Sequence, residues 1–272
     1  YQKRSKKADK MILLQSEEAS KVDRGGIPYA LDRQEGDLTL PDITRAAINF
    51  LTKKQGGKDG FFLMVEGGKI DWLCHANDVA FIPELIEMDD AVKVAYEFYQ
   101  QHPDETLIVV TADHETGGLV LGRGGYQLNL QAVANQRMSI SRLGTELHKL
   151  HDKYGDKYDW EVAKAFLTDN FGFWDKVQLS DDQTARLQHS FQRVLEGKGV
   201  DAKSLYQKDS EFAGTVNRVM SECARLTWGT GSHTNGYVPC FSIGVGAELL
   251  QGRLDNTELP LRMAKAAGWQ VR

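Results

Sequence analysis

Six side chains of the types that bind divalent metals occur at three separated places in this sequence. They are Glu66, Asp71 and His75 in a first run, Asp113 and His114 in a second, and His233 in a third. Carboxylates and imidazoles are zinc ligands, and carboxylates also bind harder cations such as magnesium. Each run lies at or beside the end of a short apolar stretch that is typical of a strand. We therefore expect a site for two zinc ions and one harder cation, which favours hydrolase chemistry.

The spacing of Asp71 and His75 suits a single metal ion. Residues four apart at the start of a helix share one face, so both side chains can bind the same ion. His233 would complete three protein ligands and leave an open position, which is the arrangement of catalytic zinc. Taken alone, the same spacing is more often that of a structural pair. Glu66 supports the metal interpretation, because the Gly67-Gly68 pair after it permits close approach of the backbone.

Asp113 and His114 follow the apolar run at residues 107–110. Neighbouring residues on a continuing strand point to opposite faces, so both can bind one ion only if the chain turns there. The Gly117-Gly118 pair favours such a turn. A solvated loop aspartate beside a capping histidine is the alternative for this pair. His233 lies in a polar Gly-Ser-His-Thr-Asn-Gly loop, where an ordinary surface histidine is also an alternative.

The remaining histidines are expected to be structural or surface residues, and the cysteines are not expected to bind metal through a paired motif. His102, His148, His151 and His189 lie on or beside predicted helices, away from strand ends. Cys74 is interpreted as a packed thiol, because a single-residue offset on a helix turns its side chain about 100° from that of its neighbour His75. Three cysteines without a C-x-x-C pair exclude a disulfide framework and leave room for one bridge.

Four short apolar runs predict strands, at residues 11–14, 60–65, 106–111 and 240–245. The last three are apolar throughout, which is typical of strands buried on both faces of a parallel sheet. Helical patterns lie between them, at about 40–51, 71–101 and 258–267. We therefore predict an α/β fold with a mostly parallel central sheet flanked by helices.

The stretch at 121–228 has a different pattern, with helical periodicity near 141–151, 160–170, 182–197 and 208–227. We interpret it as a helical insertion, a lid or crown-like subdomain, placed before the last strand. Residues 1–120 and 229–272 would then form the α/β core.

Composition narrows the class of protein. The 272 residues include 41% apolar and 26% charged side chains, with a net charge of −5. No apolar run approaches the ~20 residues of a membrane span, and the short basic stretch at 3–7 is too small for a nucleic-acid surface. The sequence opens at Tyr1 without a signal pattern, so we expect it to be part of a longer protein.

Three motifs in this order resemble the alkaline phosphatase family. The run from Val65 to Asp78 is similar to that family's metal-binding segment, and the runs at 111–114 and 231–234 are similar to its second and third segments. The resemblance covers about residues 8–120 and 229–270 and corresponds to the family's C-terminal half.

The resemblance implies a ligand for each of three ions. It assigns Asp71, His75 and His233 to a first zinc, Asp113 and His114 to a second, and Glu66 to a magnesium. It also implies hydrolysis of small phosphate monoesters through a covalent phosphoserine. A homodimer in the periplasm or outside the cell is implied by the family alone.

The sequence departs from the family pattern in two ways. The Asp-Ser-Ala segment with the nucleophilic serine is absent; Asp209-Ser210 is followed by Glu211 and does not follow a predicted strand, so we reject it as nucleophile. No catalytic residue is therefore identified, and the chain alone is expected to be inactive without the family's N-terminal half. Trp72 stands where relatives carry lysine or histidine, and it would bind substrate phosphate only weakly through its N–H.

Two alternative functions stay open from the sequence. One is another hydrolase of the same superfamily, such as a phosphodiesterase or a sulfatase. The other is a non-catalytic module that binds metal or phosphate.

Overall fold

The computed structural model describes residues 10–23, 25–54, 60–199, 202–203 and 208–270, so the basic stretch at 3–7 lies outside it. The α-helices are α1 Glu17–Val22, α2 Leu40–Lys54, α3 Gly68–His75, α4 Phe81–Gln101, α5 Leu130–Val133, α6 Ile140–Tyr154, α7 Trp160–Phe171, α8 Asp181–Leu195, α9 Glu211–Ala224 and α10 Glu258–Ala266. Short 3₁₀ turns lie at Ala30–Asp32, Gly155–Lys157 and Ala247–Leu250. No helix in these ranges is both long and apolar enough to cross a membrane.

The strands form antiparallel pairs instead of the mostly parallel sheet that we predicted. They are β1 Leu107–Val110, β2 Glu115–Thr116, β3 Val120–Leu121, β4 Ala202–Lys203, β5 Lys208–Asp209, β6 Leu226–Thr227, β7 His233–Thr234 and β8 Phe241–Gly244. Within the described ranges, β1 pairs with β8, β2 with β7, β3 with β6, and β4 with β5. In the first pair Leu107 lies opposite Gly244 and Val110 opposite Phe241. Continuous apolar runs identified β1 and β8, but such runs carry no information on strand direction.

The predicted strands at 11–14 and 60–65 are not assigned as strands. Both segments lack helical structure and pair with no strand in the described part of the chain. Exposure still alternates along 61–66, with Phe62 61% and Met64 77% exposed between half-buried neighbours. This period of two is strand-like, but without a neighbour no hydrogen-bonded ladder forms.

The helix predicted over 71–101 is two helices, α3 and α4, separated by a turn at residues 76–80. Asn77 adopts a left-handed φ of 54°. The carboxylate of Asp78 accepts a hydrogen bond from the backbone N–H of Ala80 at 2.9 Å. Asn and Asp tolerate left-handed backbone and cap local N–H groups, so this polar pair interrupts the helical period. The predicted helix end before Pro103 is confirmed at Gln101.

The hydrophobic core lies mainly in the helical stretch after β3. The largest fully buried side chains there include Leu143, Leu167, Phe171, Leu187 and Met220. This core continues into Leu73 and Cys74 of α3, so the helices pack directly behind the residues that carry the candidate ligands. The helices predicted near 141–151, 160–170, 182–197 and 208–227 are confirmed, whereas the division into domains stays a prediction.

Two further features of the fold are the packing between its elements and the state of its cysteines. The antiparallel pair of β3 and β6 joins the two ends of the helical stretch, and α2 packs on α4 beside β1. All three cysteines are free thiols, so the bridge that composition allowed is not formed.

Candidate metal centre

Asp71 and His75 meet His233 at one point, as the sequence predicts. Asp71 Oδ1 lies 3.4 Å from His75 Nε2 and 3.9 Å from His233 Nε2, and the two Nε2 atoms lie 3.1 Å apart. Ligands about 2.0–2.1 Å from a tetrahedral zinc are separated by roughly 3.3–3.4 Å, because that is the edge of such a tetrahedron. The three atoms therefore fit around one zinc ion with little rearrangement.

The tautomer of His75 suits a metal ligand. Its Nδ1 lies 2.7 Å from the carbonyl oxygen of Gly231, which can only accept a hydrogen bond. The Nδ1 position therefore carries the proton, and the lone pair of neutral His75 is on Nε2, facing His233. Hydrogen bonding of the outer ring nitrogen to a carbonyl is the usual support for a zinc-bound histidine.

The chain does turn after β1, which was the condition for Asp113 and His114 to act together. Residues 113 and 114 form a bend, and His114 Nε2 lies 3.3 Å from Asp113 Oδ2. The pairing of β2 with β7 then places Thr116 opposite His233. As a result the rings of His114 and His233 stack with centroids 3.5 Å apart.

Gly117 permits this close approach of the two loops. Its φ is 90°, and a Cβ atom there would lie 2.4 Å from the Trp228 ring. Its N–H donates to Ser232 O at 2.9 Å, and its own carbonyl accepts from Gly229 at 2.9 Å. A side chain at this position would therefore separate the loop of His114 from the loop of His233.

Thr116 contacts both predicted ligand sets, although its residue type and position did not single it out in the sequence. Its hydroxyl donates to Asp71 Oδ1 at 2.6 Å and lies 3.2 Å from His114 Nδ1. A hydroxyl has one proton, so with that proton on Asp71 it accepts from the Nδ1–H of His114. This leaves Nε2 of His114 with a lone pair for a metal. The sequence did contain one signal for this contact, because Thr116 places a hydroxyl two residues after the candidate ligand His114.

The two predicted ligand sets are adjacent. One ligand atom each from Asp71, His114 and His233 lie within 4.8 Å of one another. His114 thus lies beside the trio of Asp71, His75 and His233, while Asp113 extends the cluster outward with its side chain 85% exposed. The geometry suits neighbouring metal ions that share this cluster.

Glu66 and Trp72, the other two predicted site residues, lie outside this group. Glu66 is exposed, and its carboxylate lies over Gly68 at the start of α3. The Trp72 ring packs over the ammonium of Lys69, with 4.0 Å between Nζ and the ring centroid. The magnesium role of Glu66 and the phosphate contact of Trp72 stay predictions.

A buried carboxylate fixes the turn that follows His75. Asp78 accepts from Ala80 N at 2.9 Å, Gln136 Nε2 at 2.8 Å and Ile140 N at 2.8 Å. Burial raises its pKa to about 6, against the lowering effect of those hydrogen bonds. Asn217 of α9 also donates to Ala76 O at 2.9 Å. The helical stretch therefore holds the C-terminal end of α3.

Aspartate and histidine side chains that converge from helix α3, the bend after β1 and strand β7 define a candidate metalloenzyme. Residues 12–269 match the family model described as alkaline phosphatase, so this chain belongs to the alkaline phosphatase family. Alkaline phosphatase 3 of Bacillus subtilis (strain 168) is 31% identical over 250 residues, which are 91% of this chain and 48% of that protein. Alkaline phosphatase 4 of the same bacterium is 29% identical over 86% of this chain and 44% of its own length.

Solved structures show the same likeness. The cold-active alkaline phosphatase of the psychrophile Shewanella sp. matches with a TM-score of 0.68 and 26% identity, over 88% of this chain and 52% of that one. A mutant of TAB5 alkaline phosphatase with Mg bound matches with a TM-score of 0.50 and 22% identity, over 90% and 45% of the two chains. These neighbours support an α/β fold. The chain spans about half the length of the relatives that it matches.

Proposed function

We propose that this chain supplies most of the metal ligands of an enzyme that hydrolyses phosphate monoesters. The observation that carries the proposal is the convergence of Asp71, His75 and His233, whose ligand atoms are 3.1 to 3.9 Å apart. Membership of the alkaline phosphatase family supports the substrate class.

The proposed cofactors are two zinc ions and one magnesium ion. Asp71, His75 and His233 would hold the first zinc, and Asp113 and His114 the second. Glu66 would hold magnesium, a hard cation that prefers carboxylate oxygen; a neighbour in the family has Mg bound. When bound, the ions supply Lewis-acid stabilisation of phosphoryl oxygens.

The protein's own residues fix the ligand atoms before any ion arrives. The carbonyl of Gly231 holds the proton of His75 on Nδ1, and the hydroxyl of Thr116 does the same for His114. Both Nε2 atoms therefore present lone pairs toward the cluster. The same hydroxyl bonds Asp71, so Thr116 couples a ligand of the first set to a ligand of the second.

We further propose that the nucleophilic serine comes from a polypeptide equivalent to the other half of the relatives. Ser210, the residue that the sequence analysis rejected, accepts a hydrogen bond from Ala213 N at 3.2 Å and caps α9. Exposed apolar side chains on the extended segments support a covering partner; they include Ile12, Leu14, Phe62, Met64 and Phe241. A homodimer and export to the periplasm or the cell exterior are proposals that only the family supports.

The test is hydrolysis of p-nitrophenyl phosphate with zinc and magnesium present. We would compare the 272-residue chain with a chimera that carries the upstream half of Bacillus subtilis alkaline phosphatase 3 before it. We expect turnover by the chimera alone, and its loss on Asp71→Ala. Asp90→Ala, an exposed carboxylate change on α4, is the matched control and should retain turnover.

Three measurements separate the proposal from its alternatives: turnover by the 272-residue chain, zinc binding by both proteins, and the substrate preference of the chimera. Equal turnover by the short chain would overturn the proposal that the nucleophile is supplied from outside. Zinc binding without turnover by either protein would favour a non-catalytic binding module. Faster hydrolysis of a phosphodiester or a sulfate ester by the chimera would favour another hydrolase of the superfamily.

A further inference from the structure

Lys69 lies in an enclosed position two residues before Asp71. It is the second residue of α3 and is 9% exposed. Its Nζ forms an ion pair with Asp23, and both side chains are largely buried. The same Nζ lies 4.4 Å from the ring centroid of Tyr29 and 4.0 Å from that of Trp72. A cation is thus held between two aromatic faces and one carboxylate.

This arrangement joins α3 to a separate part of the chain. Asp23 also accepts from the N–H of Gly25 at 2.7 Å, which shapes the loop beside the ion pair. The Trp72 ring packs on Gly25 so closely that a Cβ atom there would lie 2.8 Å from the ring. Tyr29 is buried in the core. The Lys69 ammonium therefore connects Asp23, the core and the first turn of α3.

Helix α3 depends on such tertiary contacts for its orientation. It has eight residues, and its N-cap, Gly67, makes no side-chain capping bond. Isolated helices this short are not stable in water, so packing must set their position. Because α3 carries both Asp71 and His75, a small rotation of this helix would move two ligand atoms together.

Resting on the proposed metal function, we propose that Lys69 is a positioning residue for the metal centre. The ammonium, held by Asp23, Tyr29 and Trp72, fixes the first turn of α3 and thereby the Asp71 and His75 ligand atoms. Burial of a lysine is costly unless it is paired, so a site built this fully around one is not an incidental surface contact. The inference also gives Trp72 a role in aiming Asp71 instead of contacting substrate.

The test uses Lys69→Met, which keeps most of the unbranched side chain and removes its charge. We would measure the zinc dissociation constant by competition with a chromophoric chelator, the visible spectrum of the cobalt-substituted protein, and urea unfolding of the metal-free protein. Loss of a direct hydrogen-bonding partner of a metal ligand weakens metal binding by about 10–100-fold. Lys69 acts on its ligands only through helix α3, so we expect a loss near the lower end of that range, roughly tenfold, with an altered cobalt spectrum.

Three comparisons make the test decisive. Lys69→Arg keeps the positive charge but in a bulkier, planar group, so zinc binding should weaken less than in Lys69→Met without returning fully to the wild-type value. Lys93→Met, at an exposed lysine of α4, should change nothing. If Lys69→Met does not fold, Asp23→Asn removes the counter-ion only and should still weaken zinc binding.

Two results would overturn the proposal at different levels. A lower urea midpoint for Lys69→Met with zinc affinity and the cobalt spectrum unchanged would make Lys69 merely structural. Unchanged zinc affinity in His75→Ala would show that the proposed metal site itself is wrong, and the positioning role would fail with it.

Discussion

Apolar side chains are buried in the helical stretch at 130–224, but several are exposed along the extended segments near the site. In the helices, Phe171 is 1% exposed within a continuous core. Along the extended segments, Phe62 is 61% and Phe241 65% exposed. Burial of apolar area is the main stabilising term in folding, so the helices contain their own source of stability and the extended face does not.

The site lies where these two regions meet. Its ligands are on α3 and on loops that follow β1 and precede β8. The α3 ligands have the helical core directly behind them, through Leu73 and the buried Asp78. The ligand-bearing side is therefore anchored from within the chain, while the outer face offers surface for a covering polypeptide.

The largest expected effect is from cavity formation in the helical core. Phe171→Ala should lower the free energy of unfolding by about 3–5 kcal/mol, because the ring is fully buried and its removal leaves a cavity. Urea unfolding of the metal-free protein followed by circular dichroism measures it. A loss below ~1 kcal/mol would show that the helical stretch is not the stable part of this chain.

The second prediction concerns Asp78, which joins the helical core to the turn after His75. Burial raises its pKa to about 6, so the folded protein holds this proton more tightly than the unfolded chain. The resulting stability is complete below the unfolded pKa of about 4 and is lost as the pH rises through about 6. Asp78→Asn stays neutral at every pH. Its cost should therefore be larger at pH 4 than at pH 7, by on the order of 2–3 kcal/mol.

Urea unfolding of the metal-free wild type and Asp78→Asn at both pH values measures this difference. Asp90→Asn, an exposed change on α4, is the control and should show a pH-independent difference from wild type within about 0.5 kcal/mol. A cost that grows toward pH 7 would mean that the hydrogen bonds from Ala80, Gln136 and Ile140 outweigh burial.

Local patterns predicted the parts of the fold that depend on local chemistry. The helical periods near 141–151 and 182–197 correspond to α6 and α8, and the apolar runs at 106–111 and 240–245 correspond to β1 and β8. Asp71, His75 and His233 converge as their motifs indicated. Residue types and their periods carry the signal for the helices and strands, whereas the resemblance of the three motifs to the family carries it for the ligands.

Features set by distant contacts could not be predicted in this way. The direction of β1 against β8 depends on register across more than a hundred residues. The turn at 76–80 begins with local chemistry, but its buried position depends on Gln136 and Ile140, which donate to Asp78 from another part of the chain. The joint contact of Thr116 with Asp71 and His114 appears only once helix α3 meets the segment at 114–116.

The smallest effect is expected on the extended face, and it provides the most direct test of the comparison. Phe241→Ala deletes the same ring as Phe171→Ala, but from a side chain that is mostly exposed. In the 272-residue chain it should change the free energy of unfolding by less than about 0.5 kcal/mol, as is usual for surface positions. Urea unfolding under identical conditions gives the matched value.

The chimera with the upstream half of the Bacillus subtilis relative should reverse this result. If the added half covers the face, Phe241→Ala should cost roughly 1.5–3 kcal/mol there, since a buried phenylalanine side chain is stabilising by about that amount. Phe62→Ala should follow the same pattern, and Lys93→Met on α4 should be neutral in both proteins.

Two other outcomes would contradict this expectation. Phe241→Ala could be costly in the 272-residue chain alone, with an unfolding midpoint that depends on protein concentration. That result would mean that a second copy of the chain covers Phe241. Equal, small costs in both proteins would leave the face uncovered in the chimera and would contradict the proposed docking of the other half.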